Sequence, residues 1–107
     1  MKNRNWTTID AAVDKLDSLI GTVNLPGDHP AIVRGIEECI QIITGADVAI
    51  GPCAELRTAA YDFYAVRSRR SWPMSEVEYR YWQVRGAAES VREHIRMVKA
   101  AETTDAK

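Results

Sequence analysis

Apolar residues recur at spacings of three and four in four stretches of the chain, with polar residues between them. This is the period of an α-helix that buries one face. The first two apolar faces are Ile9, Ala12, Val13, Leu16, Leu19, Ile20 and Val23, and Ile32, Val33, Ile36, Cys39, Ile40 and Ile43. The last two are Leu56, Ala59, Ala60, Phe63 and Val66, and Val77, Tyr81, Val84, Ala88, Val91, Ile95 and Val98. The pattern predicts an all-α antiparallel bundle of about four helices, with a long C-terminal helix.

Capping residues and turn formers predict where the first three helices begin and end. Thr7 is expected to cap the first helix, because a threonine hydroxyl can accept a hydrogen bond from a free backbone N–H of the first turn. The Leu-Pro-Gly-Asp segment at 25–28 is typical of a tight turn before the second helix. Gly45 is expected to end that helix, and Pro52 to open the third.

The fourth helix is predicted to be the longest. Ser75 and Glu78 match a capping box, which predicts a helix over residues 76–101. Its apolar positions are spaced four and three apart in turn, as in a coiled coil. At 1.5 Å per residue it would be roughly 38 Å long, more than a chain of this size readily covers. We therefore predict a homo-oligomer. Its seam would consist of Val84, Ala88, Val91, Ile95 and Val98.

A second apolar stripe lies on another face of the same helix, at Tyr79, Trp82 and Gly86. One stripe can face the other helices while the second contacts a partner chain. The alternative is that both stripes are internal because the helix is central in the bundle. A glycine within a helix costs roughly 1 kcal/mol relative to alanine, so Gly86 suggests a close approach by another helix or a ligand at this point. The alternative is a glycine that the helix simply tolerates.

Seven of the eight aromatic residues and five of the ten arginines fall within residues 61–85. Tyr, Trp and Arg dominate binding hot spots, because each gives a large contact area and a polar tip. The predicted binding surface consists of Tyr61, Tyr64, Arg67, Arg69, Arg70, Trp72, Tyr79, Arg80, Trp82 and Arg85. The structural alternative is that the aromatics are core and that the arginines near residue 70 complement a helix C-terminus.

Two functions fit this composition. The first is a non-catalytic interaction protein that binds and modulates another macromolecule. The second is a binder of a nucleotide or nucleic acid, in which arginines hold phosphates and an aromatic ring stacks on a base. The sequence names neither partner.

The sequence contains few groups suited to catalysis or metal binding. No phosphate-binding glycine loop, nucleophile elbow or His/Cys cluster occurs, so we expect no enzyme, no cofactor, no metal site and no disulfide. Cys53 near the start of the third helix could be a reactive thiolate, since a helix N-terminus lowers thiol pKa values. Cys39 lies on an apolar face and is expected in the core.

Composition indicates one globular domain with a net charge of −1. The charge is uneven, because residues 1–55 carry four basic against eight acidic side chains and residues 56–107 carry ten against seven. Residues 1–6 and 102–107 are predicted to be flexible tails. Without a signal peptide or a membrane-spanning run, a cytoplasmic protein with no membrane contact is expected.

Overall fold

The computed structural model describes residues 4–22, 29–67 and 74–105 of the chain. They form four α-helices, α1 (Trp6–Thr22), α2 (His29–Gly45), α3 (Ile50–Arg67) and α4 (Met74–Asp105), and these described residues contain no strand. The predicted all-α bundle with a long C-terminal helix is therefore confirmed. The predicted turn at 25–28 lies outside the described residues.

The helices are arranged in a ring in which each packs against the next along the chain, and α4 closes the ring against α1. The α3–α4 contact is the most extensive and the α1–α4 contact the least. The molecule measures 56 × 21 × 17 Å. Its long axis follows from α4, whose 32 residues span about 48 Å, whereas the other helices have 17 or 18 residues.

The core is made by the apolar faces that the sequence predicts. Phe63, Leu56, Ile40 and Ile43 are fully buried at its centre. Between α1 and α2 the packing is close, because a Cβ atom at Gly35 would lie only 2.9 Å from Leu19 Cδ1. This explains why a glycine occupies the buried face of α2.

The heptad positions of α4 also belong to this core. Val84, Ala88, Val91 and Ile95 are buried within the single chain, and Val98 is partly buried against the same cluster. The prediction that these five residues form a seam between chains is therefore corrected. A heptad pattern shows that a helix has an apolar stripe but does not show whether the covering helices come from the same chain.

Helix ends differ from the predictions by a few residues. Asn5, not Thr7, caps α1, since Asn5 Oδ1 accepts a hydrogen bond from the Thr8 backbone N–H at 3.2 Å. α4 begins at Met74, so Ser75 lies in its first turn. The α2–α3 connection turns at Asp47 (φ 60°) and Ala49 (φ 53°), while no described glycine has a positive φ. The left-handed backbone expected near Gly45 is thus supplied by other residues.

Charged side chains join α4 to α1. Lys99 Nζ lies 2.7 Å from Asp10 Oδ2, and Arg92 Nη2 lies 2.7 Å from Asp17 Oδ1. These two pairs show that α1 and α4 run antiparallel, because the later residue of α1 pairs with the earlier residue of α4.

Parts of both predicted tails have defined structure. Arg4 donates hydrogen bonds to the backbone oxygens of Ala46 (2.8 Å) and Asp47 (3.0 Å), and its guanidinium forms an ion pair with Glu102. The helix α4 continues to Asp105. The prediction of flexible tails overlooked these contacts, which join positions far apart in the sequence.

Candidate interaction surface

The outer face of α4, opposite its buried heptad positions, carries Tyr79, Trp82 and Gly86. The side chains of Tyr79 and Trp82 are 56 % and 62 % exposed, although each is a large apolar group. A Cβ atom placed on Gly86 would meet nothing within 4 Å. No group among the described residues makes the close approach that the sequence suggested for Gly86.

The Trp82 ring is supported at its base by a short chain of aromatic contacts. Its centroid lies 5.7 Å from that of Tyr81 in an edge-to-face arrangement, and Tyr81 in turn lies 6.2 Å from the buried Phe63. Such contacts contribute about 0.5–1.5 kcal/mol each. They connect an exposed ring to the bundle core, so the ring is held at the surface in a defined position.

Arg85 lies against the same two rings. Its Cζ atom is 5.4 Å from the Trp82 centroid and 5.9 Å from the Tyr81 centroid, and Nη1 lies 3.5 Å from the Tyr81 hydroxyl. No acidic side chain in the described part of the chain forms an ion pair with Arg85. Arg85 is therefore a solvent-exposed cation that is positioned by aromatic rings alone.

Arg80 has a different environment. Its Nε lies 3.2 Å from Glu76 and its Nη1 lies 3.6 Å from Asp62 of α3, and its Cζ is 5.7 Å from the Tyr79 ring centroid. Because two carboxylates already flank it, Arg80 serves the α3–α4 contact. It has less charge to offer to an external anion than Arg85 has.

A groove between α3 and α4 adjoins this face. Its α4 wall includes Trp82, Gly86 and Ser90, and its α3 wall includes Glu55 and Asp62. None of the described residues that line the groove is basic. The groove wall therefore has no side chain at Gly86, and the groove is acidic on its α3 side.

The end of the bundle near the α3–α4 connection also exposes apolar groups. Tyr61 on α3 is 49 % exposed and Met74 on α4 is 65 % exposed, while Tyr64 is half-buried. α3 ends at Arg67, whose backbone alone is described. Arg69, Arg70 and Trp72 lie outside the described residues. The structure thus places Tyr61, Tyr79, Trp82 and Arg85 at the surface and assigns Arg80 to an internal contact.

Another exposed apolar residue lies on a different part of the surface. A second groove between α1 and α2 is flanked by Lys15, Glu38 and Ile42, of which Ile42 is 45 % exposed. It has no exposed aromatic ring and carries one charge of each sign.

The two cysteines are free and buried. Burial raises the pKa of the Cys53 thiol to about 11, although the nearby Arg57 opposes the shift. Burial also raises the pKa of Cys39, with Lys15 opposing it. The interpretation of Cys53 as a reactive thiolate at a helix N-terminus is therefore wrong, because burial keeps the thiol neutral near pH 7 and encloses it in the core.

The outer face of α4 continues past Gly86 with polar residues that the sequence analysis did not select. Glu89, Ser90 and Glu93 follow at the spacings that keep them on this face. All three are exposed. An apolar stripe in the sequence does not reveal these polar residues, because they continue the face without apolar side chains.

The described residues contain no group of three or more His, Cys, Asp or Glu suited to holding a metal ion. Within the same residues, no helix combines the length and the apolar character that crossing a membrane requires. Comparison of the chain with protein-family models, with curated proteins and with solved structures gave no match.

Proposed function

We propose that this chain is a non-catalytic helical interaction protein, which binds and modulates another macromolecule and works as a homo-oligomer. The observation that carries the proposal is the exposure of Trp82 beside the open position of Gly86. An indole in water loses the favourable free energy that its burial would bring, about 1.5–3 kcal/mol for a large apolar side chain. Exposed aromatic patches of this kind mark contact surfaces.

The aromatic contacts of Trp82 support a role in recognition. Trp82 contacts Tyr81, which packs on Phe63, and Arg85 lies over the rings of Trp82 and the partly buried Tyr81. A ring that is already positioned loses little conformational entropy on binding. Trp and Arg are the two residue types most typical of binding hot spots, and here they are adjacent.

The second candidate is a nucleotide or nucleic acid bound by arginine and aromatic groups. Arg85 favours it, because this cation has no acidic partner among the described residues and lies over an exposed ring. Against it stand Glu55 and Asp62, which make the adjoining groove acidic and would repel phosphate. Binding to nucleic acid would weaken steeply with added salt, whereas an apolar protein contact would not.

The proposal includes a cytoplasmic location, where thiols such as Cys39 and Cys53 remain reduced. It does not require catalysis. The thiol of Cys53 is neutral near pH 7 and is enclosed in the core.

The test compares capture of macromolecules from a lysate by the wild-type chain, by Trp82→Ala and by Ile42→Ala. Ile42 is the control, since it is also an exposed apolar side chain (45 %) but lies on α2, away from the outer face of α4. We expect Trp82→Ala to lose the captured protein and Ile42→Ala to retain it, with both variants folded as judged by circular dichroism. Equal capture by all three chains would contradict the proposed surface. Captured nucleotides that elute at moderate salt would instead favour the second candidate.

A further inference from the structure

We propose that the occupant of the outer α4 face is a second copy of this chain, whose α4 packs antiparallel to the first about a two-fold axis at Gly86. The inference rests on the proposed function, because it uses the same exposed face. It differs from the sequence prediction in the residues involved, since the heptad positions are buried within one chain.

The face is self-complementary in shape. In an antiparallel pair centred on Gly86, the residue four positions before Gly86 in one copy lies level with the residue four positions after Gly86 in the other copy. Trp82 is therefore level with Ser90 of the second copy. The four residues that surround this point on the second helix are Gly86, Glu89, Ser90 and Glu93, at the spacing of a hole that receives a knob in helix packing. Gly86 and Ser90 are small and leave space for the Trp82 indole of the first copy.

The open position of Gly86 fits the same arrangement. At the axis the two helices are closest, and a bulky side chain on each would hold them apart. Gly86 has no Cβ atom, and no described group lies near the position that a Cβ would occupy. A glycine on the exposed side of a helix otherwise destabilises the helix without a compensating contact. The crossing point therefore coincides with the one residue of this face that has no side chain.

The charges on one flank of the face are also complementary. Arg85 and Glu89 are four residues apart and share that flank. In the antiparallel pair, Arg85 lies about 3 Å along the axis from the level of Glu89 in the second copy, from the 1.5 Å rise per residue. Two such pairs form, one on each side of the axis. Arg85 would thereby gain the acidic partner that the described part of its own chain does not provide.

A parallel arrangement about Gly86 fits less well. It would place the flank with Arg85 and Glu89 on opposite sides of the interface in the two copies, so that Arg85 of one copy would not meet Glu89 of the other. It would also oppose Trp82 to Trp82, so that neither indole meets the small residues. Charge and shape therefore select the antiparallel pair.

The first experiment is disulfide cross-linking of Gly86→Cys under mild oxidation, with the mass read by non-reducing electrophoresis. Cys39 and Cys53 do not compete because both are buried. Met97→Cys is the control. It is equally exposed on the same helix, but the two copies of residue 97 would lie about 33 Å apart along the axis, beyond the reach of a disulfide. We expect a covalent dimer for Gly86→Cys only.

The second experiment is a charge exchange, with the dimer dissociation constant measured by analytical ultracentrifugation. We expect Arg85→Glu and Glu89→Arg each to weaken the dimer by about tenfold or more. The double variant should recover most of the wild-type affinity, because its pairs are again of opposite sign. Single variants without effect, or a double variant weaker than both, would overturn the antiparallel pairing.

The failure of this inference is distinguishable from failure of the proposed function. A wild-type mass of one chain at high micromolar concentration, or equal cross-linking of Met97→Cys, overturns the second copy as occupant. Trp82-dependent capture of another macromolecule would in that case still stand. If the wild type is a dimer and Trp82→Ala still captures the same macromolecule, the inference stands. The proposed binding of that macromolecule through Trp82 is then contradicted.

Discussion

Arg4 and Glu102 form an ion pair that joins the two ends of the described chain. The same guanidinium donates to the backbone oxygens of Ala46 and Asp47, so one side chain connects the segment before α1, the α2–α3 connection and the last turns of α4. The Arg4 side chain is only 12 % exposed. Because the planar group has donors on several edges, it can bind these three acceptors together.

The first prediction is that Arg4→Ala lowers the free energy of unfolding by about 2 kcal/mol, since hydrogen bonds from a charged donor contribute about 1.5–3 kcal/mol. Urea denaturation measures this. Arg34→Ala, at an exposed position of α2, is the control and should change stability by less than about 0.5 kcal/mol. A loss no larger for Arg4→Ala than for Arg34→Ala would contradict the bridging role.

The second prediction separates the exposed ring from the buried one. Trp82→Ala should destabilise a single chain by about 1 kcal/mol or less, because it loses only an edge contact and a cation–π contact. Phe63→Ala should cost about 3–5 kcal/mol, because Phe63 is fully buried. Denaturation at low protein concentration measures both without a contribution from association. Similar losses for the two variants would place Trp82 in the core.

The third prediction concerns the heptad positions of α4. Val91→Asp places a carboxylate in the closed core, and we expect it to unfold the chain or to cost more than about 4 kcal/mol. Val98→Asp alters a partly buried position of the same stripe and should cost clearly less. Circular dichroism and thermal melting check this. If Val91→Asp were folded but monomeric, Val91 would belong to a seam between chains and not to the core of one chain.

The fourth prediction is a loss of stability at high pH through Cys53. Its pKa in the folded chain is about 11 against an ordinary value of 9.0. The unfolded chain therefore releases its thiol proton at lower pH than the folded chain does. The stabilising contribution is complete below pH 9 and is lost as pH rises toward 11.

Melting temperatures of the wild type and of Cys53→Ala across this pH range test the effect. Tyrosine and lysine side chains titrate in both proteins, so only the difference between the two curves reports Cys53. We expect the wild type to lose more stability than the variant between pH 9 and pH 11. Parallel curves would show that the thiol ionises alike in both states.

Local patterns in the sequence predict the four helices and their buried faces, because burial on one face imposes the 3.6-residue period. Trp82 was placed off the core face for the same reason, since it lies five residues, about 140° of helix rotation, from the buried Val77. The sequence did not show what covers Val91, because a covered stripe has the same pattern whichever chain covers it. Arg4 was missed because its partners lie more than 40 residues away.

The capping residue of α1 also could not be predicted from local sequence alone. Asn5 and Thr7 are both good capping residues, and only the course of the chain before α1 decides between them. Ala49 likewise gave no signal of a left-handed backbone, because alanine rarely adopts it. The closing of the α2–α3 connection over the core fixes that conformation.

The enclosure of the heptad stripe by α1 and α3 of the same chain has a consequence for how the protein reaches its native state. The apolar collapse of α4 needs no encounter with a second molecule, so the rate of folding is independent of protein concentration. A newly synthesised chain can complete its core alone, without exposing Val84 or Val91 while it waits for a partner. In the proposed dimer, assembly through Trp82 would then be a separate and reversible step, governed by mass action.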